Sequence, residues 1–87
     1  MSDQAAKIDQ TIRELLAQHG HDRTISPTDV ARAIAGADEK QWRLLMKPVR
    51  ARAILLAGQN DIVILRKGKP VDPKNFKGVY RLALAPQ

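Results

Sequence analysis

Between Ala5 and Leu16, apolar residues recur every three or four positions, and Ala5, Ile8, Ile12, Leu15 and Leu16 form one stripe with Lys7, Gln10, Arg13 and Glu14 facing away. This predicts a packing helix capped by Asp3 and ending near Gly20, with His19 at its carboxyl end, where a cation is favourable. A second, shorter period follows in SPTDVARAIAG. Ser26 reads as N-cap, Pro27 as the first helical residue, Asp29 as the N3 partner of a capping box, and Ile25 with Val30 as a hydrophobic staple. The predicted helix runs from Pro27 to Ala35, with Val30, Ala31 and Ile34 inward and Gly36 closing it.

The third period is the longest. Asp38 with Gln41 forms another capping-box signature, and the pattern continues from Glu39 to Ala57 before Gly58. At about 100° per residue, Trp42, Leu45, Met46, Val49, Ala53 and Leu56 share one side, while Arg43, Lys47 and Arg50 share another. Pro48 removes the hydrogen bond to the Leu44 carbonyl, so a kink or a break is expected within this helix. Leu44 and Leu55 lie outside the apolar stripe, which fits either a core flanked on two sides or a contact surface.

Beyond Gly58 the period changes to two. A strand is predicted from Asp61 or Ile62 to Arg66, and its partner from Val79 to Leu84, where Tyr80, Leu82 and Leu84 alternate with Val79, Arg81 and Ala83. Between them RKGKPVDPKNFKG is too long for a tight hairpin, and its prolines and glycines predict a turn-rich loop pinned by Val71 and Phe76. Asp72 is expected to accept backbone N–H groups in an Asx-type turn, or to pair with Arg50 or Arg81.

Charge adds a direction to this pattern. Residues 1–39 carry four basic and seven acidic groups, a sum of −3, whereas residues 40–87 carry eleven basic groups against Asp61 and Asp72, a sum of +9. Clustered cations steer polyanions and release condensed counterions together, so the second half points to a polyanionic partner. With 87 residues the expectation is one domain spanning 1–87, ordered from about 4 to 84. Three aromatics (Trp42, Phe76, Tyr80) leave the core mainly to Ile, Leu, Val and Ala, and the absence of cysteine excludes disulfides and thiolate chemistry. The apolar runs are far below the ~20 residues that span a bilayer, and MSDQAAKIDQ has neither a basic leader nor an apolar core, so a soluble cytoplasmic protein with no membrane partner is expected.

Candidate chemistry changes little. His19, His21 and Asp22 lie across a glycine turn without a third spaced ligand, so no metal is assigned. Ser26 and Thr28 have no histidine at a readable spacing, and GKP is not a phosphate-cradling motif. Neither an enzyme nor a cofactor is expected.

The element order of helix, short helix, turn, long helix, strand, loop and strand is that of an α+β winged helix-turn-helix, three helices followed by a two-stranded antiparallel wing. In that arrangement Arg43, Lys47 and Arg50 lie on the helix that would enter a DNA major groove. Lys67, Lys69, Lys74 and Lys77 lie on the wing, and Ser26 and Thr28 at a helix amino terminus where N–H groups can meet a phosphate. The strings SPTDVARAIAG, WRLLMKPVRARAILLAG and RKGKPVDPKNFKGVYRLAL also resemble the small bacterial family catalogued as domain of unknown function number 3253, over about residues 8 to 84. That resemblance implies a winged-helix-like domain of the bacterial cytoplasm and supplies no activity or catalytic residues. The expected partner is double-stranded DNA, bound by a monomer or homodimer acting as a small transcriptional regulator. The alternative is a protein-protein interaction module of the same fold with no nucleic-acid binding. Exposed aromatic platforms are not expected, which disfavours single-stranded RNA.

Overall fold

The structure, a computed structural model, describes residues 3–19 and 23–85. The expected cap at Gly20 and the residues His21 and Asp22 of the histidine cluster lie outside the described residues. Helix α1 (Asp3–His19) buries Ile8, Ile12 and Leu16 completely, as its stripe predicts. Thr11 is buried on the same helix and its hydroxyl donates to the Lys7 carbonyl at 2.7 Å, so no polar atom is stranded. Helix α2 (Pro27–Ala35) starts in the expected capping box: Ser26 Oγ accepts from Asp29 N–H, and the Asp29 carboxylate accepts from Ser26 N–H, both at 3.0 Å.

The predicted long helix is divided. Asp38 caps helix α3 (Glu39–Trp42) by accepting from Lys40 N–H at 3.0 Å rather than from Gln41, a 3-10 turn follows at Arg43–Leu45, and helix α4 runs Met46–Gly58. Pro48 is the expected cause, acting one turn earlier than its own position. Its ring crowds the Leu44 carbonyl, which tightens that turn, and Pro48 itself falls at the third residue of α4, where a missing N–H leaves nothing unsatisfied. Helix α4 ends in a Schellman motif: Asp61 N–H donates to the Leu56 carbonyl at 3.1 Å and Asn60 N–H to Ala57 at 3.0 Å. Asn60, with φ 64°, takes the left-handed position expected nearer Gly58.

Strands β1 (Ile62–Arg66), β2 (Lys69–Pro70) and β3 (Arg81–Leu84) form an antiparallel sheet in the order β2-β1-β3, which corrects the expected two-stranded wing. A tight hairpin does exist. Lys67 and Gly68, at φ 54° and 79°, form the two-residue turn that pairs Arg66 with Lys69. The chain then crosses from one edge of β1 to the other through residues 71–80, and β3 begins at Arg81 rather than at Val79. On the far edge of β3, Ile25 and Leu82 exchange N–H···O bonds, both 2.8 Å, tying the entry of α2 to the sheet. This α+β layout of three helical units and a small antiparallel sheet is consistent with a winged helix.

Contributions from every layer meet in one core, with Ile8, Ile12 and Leu16 from α1, Val30 and Ala31 from α2, Val49, Ala53 and Leu56 from α4, and Ile62, Ile64 and Leu82 from the sheet. Trp42 is only half-buried at its margin, and Leu44 is 72% exposed. Among the described residues, no helix is long and apolar enough to cross a membrane. Urea unfolding should therefore rank four truncations. Ile12→Ala and Leu82→Ala are each expected to cost about 2 to 5 kcal/mol. Trp42→Ala should cost less than either, and Leu44→Ala should stay within about 0.5 kcal/mol of wild type.

Candidate functional site

The sequence-predicted cations sit on three stretches: the 3-10 turn with the start of α4, the β1-β2 hairpin, and the 71–80 crossover. What joins them is Phe76. Its ring is buried against the core, packs edge-on to Tyr80 at 5.2 Å and 64°, and carries the Arg50 guanidinium 4.4 Å above its centroid. Arg50 Nη2 also donates to the Phe76 carbonyl at 2.9 Å. Helix and crossover are thereby fastened at one residue of each, so the crossover segment that carries Lys74 and Lys77 is held to α4 at Phe76.

A second fastening joins the crossover to the hairpin. Arg66 Nε donates to the Val79 carbonyl at 3.0 Å, and its guanidinium lies across Gly78. Gly78 is required there: its φ is 87°, and a Cβ would come within 2.9 Å of Arg66 Nη2. Because Arg66 closes the Lys67-Gly68 turn, the contact ties the hairpin to the Gly78-Val79 end of the crossover. An open hollow of about 370 Å³ lies between these parts, lined mainly by Pro27, Thr28, Met46, Val79 and Tyr80.

Asp72 settles into the turn rather than into an ion pair. Its carboxylate accepts from Lys74 N–H at 2.9 Å, and its carbonyl from Asn75 N–H at 3.0 Å. The alternative partners are engaged elsewhere, Arg50 on Phe76 and Arg81 on Thr24, where Arg81 Nε donates to the hydroxyl at 2.6 Å and Nη2 to the carbonyl at 3.1 Å.

The other acids lie away from this surface or are occupied. Asp61 pairs with Arg13 at 2.9 Å, and Asp9 takes both Arg52 nitrogens at 2.8 and 2.6 Å, tying α4 to α1. The hydrogen bonding of Arg52 to Asp9, together with the Asp9 charge, raises the Arg52 pKa above the ordinary value against a smaller opposing effect of burial. Arg43 pairs with Glu39 at 3.0 Å, an exposed i,i+4 contact that a stronger anion can displace. Lys47, Lys67, Lys69, Lys74 and Lys77 have no ion-pair partner among the described residues.

The nine sequence-predicted residues therefore divide. Five lysines and Arg43 are exposed. Arg50 is correctly placed on the ridge side, but it works as the clamp on Phe76. Ser26 spends its hydroxyl on Asp29 N–H, and the Asp29 carboxylate already stands at the α2 amino terminus, which weakens a phosphate site there; Thr28 lines the hollow. Sequence reasoning missed Arg66 and Val79. Arg66 ends a strand and carries no motif, and only the spacing of Gly78 after Phe76 hinted at a close approach.

The sequence matches the family described as Protein of unknown function (DUF3253) over residues 5–85. No curated protein matches it.

Two outcomes follow from the clamp. Arg50→Ala should free the crossover, seen as faster tryptic cleavage after Lys74 and Lys77, and Arg50→Lys should not restore protection because it lacks the planar group that stacks and donates together. Burial pushes the Tyr80 phenol up to about 12 against an ordinary value of 10, with Arg50 partly offsetting it. The folded state thus holds this proton longer than the unfolded chain. Its contribution to stability is present below pH 10 and falls as pH rises from 10 to about 12, which phenolate absorbance and alkaline unfolding should both report.

Proposed function

The chain belongs to this family of unknown function, and from its charge geometry we propose that it is a double-stranded DNA-binding winged-helix domain, a small transcriptional regulator of the bacterial cytoplasm. One observation carries the reading. The Arg50-Phe76 clamp and the Arg66-Val79 contact tie together α4, the hairpin and the crossover, the segments that carry the exposed Lys47, Lys67, Lys69, Lys74 and Lys77, and Asp72, the acid within the crossover, is held in its own turn. Like charges brought together at a cost in self-repulsion are explained by an anion that relieves it.

On this reading the α3-α4 unit lies in the major groove, with Lys47 and Arg43 reaching phosphates or base edges. The hairpin and the crossover hold the flanking backbone through Lys67, Lys69, Lys74 and Lys77. Binding needs no cofactor or metal, and no catalytic step is part of it. A protein-interaction module is the second reading, favoured by Val79, which is 85% exposed beside the apolar hollow that Met46 and Tyr80 line.

Fluorescence anisotropy with a labelled duplex at two salt concentrations tests the proposal. Affinity should fall steeply with salt. Lys47→Ala and the pair Lys67→Ala/Lys69→Ala should weaken binding across all sequences, each lysine lowering the salt slope by about 1. Absence of binding at low ionic strength would sink the DNA reading and leave the second.

A further inference from the structure

Leu44 is the most exposed large apolar side chain of the α3-α4 unit, at 72%, while its neighbour Leu45 is buried. Lys40, Leu44, Lys47 and Ala51 are exposed in succession along α3, the 3-10 turn and α4, a ridge interrupted by that turn, while Val49, Ala53 and Leu56 are buried in the core. Arg43 is exposed beside Leu44 in the same 3-10 turn.

A ridge that only followed phosphates would gain nothing from a leucine at its centre. Contact with a protein surface is also poorly served, because the neighbours are lysines and a small alanine, and the next exposed leucine, Leu55, is three turns away and 43% exposed. An apolar group between cations suits a base edge in the major groove, where the thymine C5-methyl is the one apolar feature presented. Ala51, having almost no side chain, lets this ridge approach closely.

We propose that Leu44 is a specificity-determining residue that packs on a thymine methyl in the major groove. This rests on the DNA-binding reading above. Lys40 and Lys47 position the ridge on the flanking phosphates, and Leu44 discriminates among the bases it then meets.

The test enriches a randomised duplex pool on the wild-type protein, then synthesises the enriched duplex with thymidine or with deoxyuridine throughout, which removes only the C5-methyl groups. Wild type should bind the thymidine duplex about fourfold more tightly for each contacted methyl. Leu44→Ala should bind both duplexes alike with an unchanged salt slope, and Leu44→Met should keep the preference. Circular dichroism melting confirms that the variants are folded. Equal wild-type affinity for the two duplexes, or a preference that survives Leu44→Ala, overturns the proposal while leaving DNA binding intact. No enrichment and no binding at low salt overturns both.

Discussion

Arg50 against Phe76 is the contact on which the arrangement of the charged surface depends. A guanidinium 4.4 Å above a buried ring, with a 2.9 Å hydrogen bond to the same residue's carbonyl, fixes the crossover to α4 by its middle. Dispersion, the ring quadrupole and a charge-assisted hydrogen bond act at one place there. Without it, the polar ties of the ten-residue crossover to the body would be left near its ends, where the Val71 N–H donates to the Ile64 carbonyl at 2.9 Å and Arg66 Nε donates to the Val79 carbonyl at 3.0 Å. The same contact removes Arg50 from the groups free to meet a ligand. One cation holds others in place.

Proline and glycine set the rest of the local geometry. Pro48 displaces the irregularity of the third helical unit to Arg43–Leu45, where Leu44 is exposed and Leu45 stays in the core. Gly78 lets Arg66 cross the backbone, and Lys67 with Gly68 makes a hairpin tight enough that the chain must still travel to the other edge of β1. The acids are distributed with equal consequence. Asp9 and Asp61 are taken up by Arg52 and Arg13 on the α1 side, and the lysines of the second half have no ion-pair partner among the described residues.

Elements that rest on short-range rules were legible from the residues. The Ser26 capping box, the α1 stripe, the inward face of α4 and the Asx turn at Asp72 involve partners within a few positions, where spacing fixes geometry. The candidate site was only partly legible. Lysine positions and their bias toward the second half could be read off, but the ridge of Arg43, Lys47 and Arg50 assumed equivalent side chains, and the partners that distinguish them are Glu39, nothing among the described residues, and Phe76.

The loop that was expected to be one long wing shows the division most clearly. Its composition determined that it would turn and that Phe76 would be a peg, and it offered the Asx turn at Asp72 as one of two outcomes, because these follow from side-chain chemistry acting locally. The tertiary structure alone decided which edge of β1 each half would join, and that Arg50, 26 positions away, would receive Phe76. Strand order and long-range contacts are set by how the whole core closes, a competition among alternatives whose energies no local pattern contains.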